Sequence, residues 1–206
     1  MEKYIWLNPV TKNMLHEANI DIARFVDKYG FKLIEVDDIV RKRVKAKYVE
    51  YVRDVNDTVI DSRCPLVVDY LVKKHPELKK YIAPIDPIFI STGKYFIEEY
   101  LGVDDEYQLV MISPCKALCN SGKNNSNNKI IYMTWVEFCV KFEIELDLKP
   151  KKTPVPLGFF DDTELKVGKI NGEEEIEDII CKMKEDKYDL IEILFCRDGC
   201  HNGDGI

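Results

Sequence analysis

The chain has 206 residues, and its 37 Asp and Glu residues outnumber its 30 Lys and Arg residues, giving a formal net charge of -7. This balance excludes the overall basic field of a nucleic-acid-binding protein, and no apolar run is long enough to span a membrane. Seven cysteines without a secretory signal argue against a disulfide framework, since an odd number cannot pair completely. We therefore expect a cytoplasmic protein with reduced thiols, and neither nucleic acid nor membrane among its partners.

Strand and helix patterns alternate along the chain. Short apolar runs predict strands near residues 4–7, 32–36, 57–61, 87–90, 108–112, 130–133, 165–170 and 190–195. Apolar residues at helical spacing lie between these runs, and such alternation predicts parallel sheets covered by helices. We predict an α/β fold of two lobes, 1–102 and 103–206, that together form one domain. Each lobe is expected to be a mostly parallel sheet of about four strands flanked by helices, with a metal-cluster cleft between the lobes.

Cysteines recur at the ends of predicted strands. Cys64, Cys115 and Cys196 each come just after a strand, where ligands of open parallel sheets gather. Cys200 follows in a glycine-rich loop, and glycines let the backbone approach a bulky group closely. Four thiolates in this arrangement predict a metal centre. A cubane iron–sulfur cluster is favoured, and zinc is the alternative because it accepts the same ligands.

Three segments resemble the catalytic domain of the iron-only (di-iron) hydrogenases and their non-hydrogenase relatives. The first is DSRCPLVVDYLVKKHPEL at 61–78, which is similar to a Ser-Cys-Cys-Pro motif that opens a helix. The second is ISPCKALC at 112–119, which is similar to a Met-Pro-Cys motif. The third is IEILFCRDGCHNGDG at 191–205, which resembles a Glu-x-x-x-Cys-x-x-x-Cys motif followed by glycines. Their order and spacing agree along most of the chain.

The resemblance implies a hydrogenase-like domain with one [4Fe-4S] cluster. The family's four cubane ligands fall on Cys64, Cys115, Cys196 and Cys200. In the hydrogenases, the thiolate that matches Cys200 also bridges to a di-iron subsite.

Five positions depart from the family pattern. Arg63 stands where the family has its proton-transferring cysteine, and a guanidinium stays charged at neutral pH. Leu118 stands where a lysine normally bonds a cyanide of the di-iron unit, and leucine has no hydrogen-bond donor to offer. Ser113 replaces a methionine, while Asp198 and Asp204 replace glycines. We therefore expect the cubane to be kept and the di-iron subsite to be lost.

The first functional hypothesis is an iron–sulfur protein whose cluster has a redox or small-ligand role. No ferredoxin-like cysteine cluster precedes the domain, so an external electron donor or acceptor protein is the expected partner. A small anionic ligand is a second expected partner. Four residues are candidates for binding this ligand: Arg63, Lys116, Arg197 and His201. The alternative is that they only neutralise the negative charge of the thiolates.

Two alternatives stay open at this point. One is an oxidoreductase, either an active iron-only hydrogenase or another redox or sulfur-chemistry enzyme, with Cys119 and Arg63 as its candidate catalytic residues. Cys119 lies one helical turn after Cys115, where it would be a nucleophile or proton carrier, or simply a packed helix thiol. The other alternative is a zinc-stabilised interaction protein.

Overall fold

A computed structural model of the chain describes residues 1–101, 106–124, 128–185 and 187–206. The chain forms two compact units, and each is assembled from separate stretches of sequence. Unit 1 contains Met1–Asp37, Phe89–Val155 and Cys200–Ile206, and unit 2 contains Asp38–Ile88 and Pro156–Gly199. The predicted lobe boundary between 102 and 103 lies outside the described residues, and both units draw on sequence from either side of it.

Strands and helices alternate through most of the described chain. The strands are β1 (Glu2–Leu7), β2 (Lys32–Leu33), β3 (Val59–Ile60), β4 (Tyr107–Ser113), β5 (Ile130–Thr134), β6 (Val167–Asn171) and β7 (Leu190–Leu194). The helices are α1 (Pro9–Glu17), α2 (Ile22–Asp27), α3 (Ile39–Val55), α4 (Pro65–Lys74), α5 (Ile88–Tyr95), α6 (Lys116–Asn124), α7 (Trp135–Lys141) and α8 (Asp178–Glu185). Short 3₁₀ segments occur at Pro76–Tyr81, Glu173–Glu175 and Cys200–Asn202, and a π-helical segment at Phe96–Leu101. None of the helices in the described ranges is both long and apolar enough to cross a membrane.

Unit 1 contains a four-stranded parallel sheet in the order β2–β1–β4–β5. Strand β4, one of the two inner strands, is buried on both faces of the sheet. Val110 and Ile112 belong to the apolar cluster on one face, while Leu109 and Met111 belong to the cluster on the other. Burial on both faces explains why β4 is apolar through its centre instead of alternating with polar residues.

Unit 2 contains a three-stranded parallel sheet in the order β3–β7–β6. The central strand β7 contributes Ile191 and Ile193 to a buried cluster. Helix α4 packs Val67 and Leu71 into the same cluster. Helix α4 therefore covers the unit 2 sheet, and the loop of residues 61–64 that precedes the helix lies at the end of that sheet.

The predicted fold class is confirmed, because both sheets are parallel and helices accompany them. The grouping of strands by their order along the chain is wrong: β1 pairs with β4, and β3 pairs with β7. Parallel strands need crossover connections, so neighbours in a sheet need not be neighbours in the sequence. The strand predicted at 87–90 is also wrong, since α5 begins at Ile88. A short apolar run does not distinguish a buried strand from a buried helix.

Asn8 connects the end of β1 to the start of α1. Its Oδ1 accepts a hydrogen bond from the backbone N–H of Thr11 at 3.0 Å, which caps the helix. Its Nδ2 donates to the backbone carbonyl of Ile112 on β4 at 3.1 Å. The side chain is 2% exposed, so water cannot replace either bond.

We predict that Asn8→Ala lowers the free energy of unfolding by about 1–3 kcal/mol, because it removes a helix cap and leaves a buried carbonyl without this donor. Urea denaturation followed by circular dichroism measures the change. Asn13→Ala is the control, since the Asn13 amide donates to the exposed Glu17 carboxylate on the same helix. Equal losses in the two variants would contradict the prediction.

Candidate metal-binding site

Cys64 lies between β3 and α4 in unit 2. It is the N-cap residue of α4, and Pro65 occupies the start of the helix, as the sequence predicts. Burial raises the pKa of the Cys64 thiol, while backbone hydrogen bonds from Val67, Phe195 and Leu66 act in the opposite direction. These N–H groups favour the thiolate, which is the form that binds metal.

Cys196 lies just past β7 in the same unit. Because β3 and β7 are parallel, with Ile60 opposite Ile191, Cys64 and Cys196 both follow the carboxyl end of the sheet. Cys64 and Phe195, the residue before Cys196, pack against the same buried cluster of unit 2. Unit 2 therefore brings two of the four predicted ligands to one end of its sheet.

Cys115 lies in unit 1, between β4 and α6. The backbone N–H of Leu118 donates to its Sγ at 3.4 Å. Helix α6 then continues from the N–H of Cys119, which donates to the carbonyl of Cys115 at 3.1 Å. The Cys115 sulfur thus lies over the first turn of the helix, where unsatisfied N–H groups favour a negative charge.

The C-terminal segment Cys200–Ile206 packs against the same end of the unit 1 sheet. The N–H of Gly205 donates to the carbonyl of Pro114 at 3.1 Å. The carbonyl of Gly205 accepts a hydrogen bond from the N–H of Val136 at 3.2 Å. A Cβ atom at Gly203 would lie 2.4 Å from the Pro114 carbonyl oxygen, and one at Gly205 would lie 3.0 Å from the Cys115 Cα. The two glycines therefore allow the segment that carries Cys200 to contact the Cys115 loop closely.

Asp198 and Asp204, which the resemblance implies are glycines in the family, each have a hydrogen-bond partner in the structure. Asp204 accepts a hydrogen bond from the backbone N–H of Lys116 at 2.8 Å, and this bond caps α6 from the C-terminal segment. Asp198 has a left-handed backbone conformation with a φ of 61°. The Asn171 side chain bonds both the N–H and the carboxylate of Asp198, at 2.8 and 3.0 Å. The sequence indicated that these positions depart from the family, but their partners are distant in the chain and only the structure identifies them.

Arg63 takes part in a buried ion-pair network. Its Nη2 lies 2.7 Å from Asp61 Oδ2 and 2.8 Å from Glu192 Oε1, and both carboxylate side chains are 1% exposed. Its guanidinium also lies 4.0 Å from the centroid of the Phe159 ring. Although burial opposes the charge, Asp61 and Glu192 raise the pKa of Arg63. The guanidinium therefore stays charged and cannot transfer protons.

Backbone and hydroxyl groups complete this network. Tyr48 donates from its hydroxyl to Asp61 at 3.0 Å. The N–H groups of Gly158 and Phe159 donate to Glu192 at 2.8 and 3.0 Å. Glu192 is the glutamate of the predicted Glu-x-x-x-Cys motif, so the motif itself was the signal that could have identified the partner of Arg63.

Cys119 is buried in unit 1, with its sulfur 3.8 Å from the carboxylate of Glu137. Burial raises the pKa of its thiol to about 11. Since the thiolate is the nucleophile, this environment favours the packed-thiol interpretation over a catalytic one.

The other predicted anion-binding residues differ in their surroundings. Arg197 is exposed and pairs with Glu174 and Glu175. His201 has a buried ring Nδ1 with no hydrogen-bond partner within the described ranges. Lys116 begins α6, where its backbone N–H bonds Asp204.

The structure thus places the predicted ligands as two pairs. Cys64 and Cys196 belong to unit 2, and Cys115 and Cys200 belong to unit 1. Across the described part of the chain, no group of three or more His, Cys, Asp and Glu side chains is arranged to hold a metal ion. The four-cysteine ligand set therefore stays a prediction.

Comparison with known proteins gives one family match and several structural matches. Residues 12–129 and 147–204 match the family described as the C-terminal domain of the iron only hydrogenase large subunit. A search of curated proteins finds no match. A cysteine-to-histidine variant of apo [FeFe]-hydrogenase HydA1 from Chlamydomonas reinhardtii is similar, with 15% identity and a TM-score of 0.67 over 99% of this chain and 79% of that one. The HydA(deltaEFG) structure, described as revealing stepwise H-cluster assembly, has 14% identity and a TM-score of 0.66 over the same shares.

We predict that Arg63→Met lowers the free energy of unfolding by about 3–5 kcal/mol, because it leaves two buried carboxylates without their cation. Arg197→Met is the matched control. That arginine also pairs with two carboxylates, but its side chain is 50% exposed, compared with 12% for Arg63, so the loss should be much smaller. Urea denaturation of the reduced protein measures both.

Restoring charge balance tests the cause. If the buried carboxylates are responsible, adding Asp61→Asn and Glu192→Gln to Arg63→Met should recover part of the lost stability. A similar loss in both arginine variants, or no recovery in the triple variant, would contradict the prediction.

Proposed function

Because the chain belongs to the family of the hydrogenase C-terminal domain described above, we propose that it is an iron–sulfur protein with one [4Fe-4S] cluster. The ligands would be Cys64, Cys115, Cys196 and Cys200. The observation that best supports this proposal is that Cys64, Cys115 and Cys196 each follow the carboxyl end of a strand, with the backbone N–H of Leu118 directed at the sulfur of Cys115.

The donor set fits such a cluster chemically. A cubane takes four thiolates, and hydrogen bonds to the sulfurs, together with the burial of the site, tune its reduction potential. The N–H of Leu118 donates to one ligand sulfur, and the backbones of Val67, Phe195 and Leu66 lower the pKa of another ligand thiol, Cys64, against the effect of its burial. When bound, the cluster would supply one-electron chemistry. The residues of the chain would hold the thiolates in place, limit the access of water and stabilise their negative charge.

We propose further that the di-iron subsite is absent. The Leu118 side chain packs against an apolar cluster of unit 1, where it offers no donor to an anionic ligand. Arg63 is held by Asp61 and Glu192. Neither residue can perform the role that the family assigns to its position.

The remaining role is electron transfer or the binding of a small ligand. For electron transfer, an external donor or acceptor protein is required, because a protein with a single cluster has no second redox centre with which to exchange the electron. A small anionic ligand is the second proposed partner. His201 is the proposed contact, since its ring Nδ1 lacks a hydrogen-bond partner among the described residues.

Anaerobically reconstituted protein is predicted to contain about four iron and four sulfide per chain. Replacing any one of Cys64, Cys115, Cys196 and Cys200 by Ala should lower both contents and bleach the brown colour. The matched controls are Cys139→Ala and Cys181→Ala, because these two thiols lie outside the proposed ligand set. Iron and sulfide assays with absorption spectroscopy measure the outcome.

Three results would contradict this prediction. The first is full iron content in the Cys64→Ala variant, which would remove that residue from the ligand set. The second is equal loss in the control variants. The third is colourless protein with stoichiometric zinc, which would favour the zinc-stabilised alternative.

We also predict that reconstituted protein treated with a synthetic di-iron complex evolves no hydrogen above background. The reason is that Arg63 and Leu118 replace the groups that would transfer protons to the subsite and bind its ligands. Headspace gas chromatography with a chemical reductant measures the rate, and an active iron-only hydrogenase treated in the same way is the positive control. Hydrogen evolution by the wild-type chain would overturn this part of the proposal.

A further inference from the structure

Residues 143–149 of unit 1, with the sequence EIELDLK, follow α7 and belong to no helix or strand. Their side chains alternate strictly in exposure. Glu143, Glu145 and Asp147 are exposed, whereas the apolar residues between them are partly buried and pack against the unit 1 core. The segment therefore has the period of a half-buried strand without a neighbouring strand among the described residues.

The end of α7 determines where this segment begins. Glu143 has a φ of 53°, the left-handed conformation that reverses the chain after a helix. The N–H of Ile144 donates to the Cys139 carbonyl at 2.9 Å, and the N–H of Glu143 donates to the Val140 carbonyl at 3.4 Å. This pair of bonds is a Schellman motif, and it directs the segment back along the helix.

From residue 145 onward, the backbone of the segment is not paired with any other backbone that the structure describes. No N–H or carbonyl of residues 145–149 forms a backbone hydrogen bond with any residue that the structure describes. A row of free backbone groups in an extended conformation is a template for pairing with another chain.

A groove of about 390 Å³ lies beside this row. Its apolar lining includes Val136 and Val140 of α7, which are 44% and 75% exposed. Leu146, Leu148 and Ile206 line it as well. The volume falls within the range of about 300–1,000 Å³ that is typical of ligand pockets. The groove therefore has room for apolar side chains of a bound segment.

The polar residues around the groove are mainly acidic. Glu143, Glu145 and Asp147 stand along it, and Lys149 is the one cation among its described lining residues. In an added strand, the side chains opposite these carboxylates would be their cross-strand neighbours, and opposite charges stabilise such pairs. A second copy of the same segment would place carboxylates opposite carboxylates, which disfavours self-pairing.

We propose that residues 143–149 are a strand-addition site for an extended segment of a partner protein, in which apolar residues alternate with basic ones. The free backbone groups would form the main-chain hydrogen bonds, the groove would receive the apolar side chains, and the three carboxylates would select the basic ones. This site is independent of the proposed cluster. The family match leaves out residues 130–146, so most of the groove lies where the chain departs from its family.

The test uses the full chain and a fluorescent peptide of alternating lysine and valine, matched in length to the segment. The control peptides are one of the same composition with lysines and valines in separate blocks, and one with glutamate in place of lysine. Fluorescence anisotropy should show binding of the alternating lysine peptide at least tenfold tighter than either control. Hydrogen exchange of the 145–149 amides should slow when that peptide is bound and not otherwise.

Two variants separate strand addition from general attraction between charges. Glu145→Lys should weaken binding of the lysine peptide by about fivefold or more, because it turns an attractive cross-strand pair into a repulsive one. Asp27→Lys is the matched control, since it makes the same charge change at an exposed position on α2 of the same unit. It should leave the affinity unchanged.

Four outcomes would overturn the proposal. One is equal binding of the alternating and block peptides. Another is equal weakening by Glu145→Lys and Asp27→Lys, which would indicate attraction by net charge alone. A third is binding without slower exchange at 145–149, which would place the peptide elsewhere. The last is the absence of binding by any of the peptides. In that case, the carboxylates of Glu143, Glu145 and Asp147 would instead protect the unpaired backbone from aggregation.

Discussion

Parallel pairing between distant strands is the constraint on which the rest of this structure depends. The pairing of β3 with β7 joins residues more than a hundred positions apart, and that of β1 with β4 does the same. In a parallel sheet all strands end at the same edge, so the loops that follow them are brought together. For this reason Cys64 and Cys196 both follow the carboxyl end of the unit 2 sheet. A cysteine at the end of an antiparallel neighbour would lie at the opposite edge.

Unit 1 brings its two thiol-bearing segments together by a different route. Cys200 follows no strand of that unit, and the close contact of Gly203 and Gly205 with the Cys115 loop positions its segment. The Asp204 carboxylate then caps α6 through the N–H of Lys116. A residue that departs from the family pattern thus supports the same contact as the glycines around it.

Arg63 depends on two carboxylates that are distant from each other in the chain. Asp61 and Glu192 both pair with its guanidinium, at 2.7 and 2.8 Å. A buried pair of this kind contributes little net stability when intact, but it is costly to break because the remaining charges cannot reach water. The network also fixes Gly158 and Phe159 through Glu192, so it orders a segment that lacks regular secondary structure.

Local patterns in the sequence were sufficient for much of this description. The start of α4 at Pro65 and the apolar strand β4 were both readable, because each depends on residues close together in the chain. The sequence also determined the fold class through the alternation of strands and helices, and its three motifs indicated the family. It did not determine that residues 88–90 are helical, since a short apolar run suits either state when it is buried. Only the tertiary structure decided which strands pair, that Glu192 holds Arg63, and that the apolar residues of 143–149 pack against the unit 1 core although the segment belongs to no strand. Those features depend on contacts between residues far apart in the chain, and no local preference encodes such contacts.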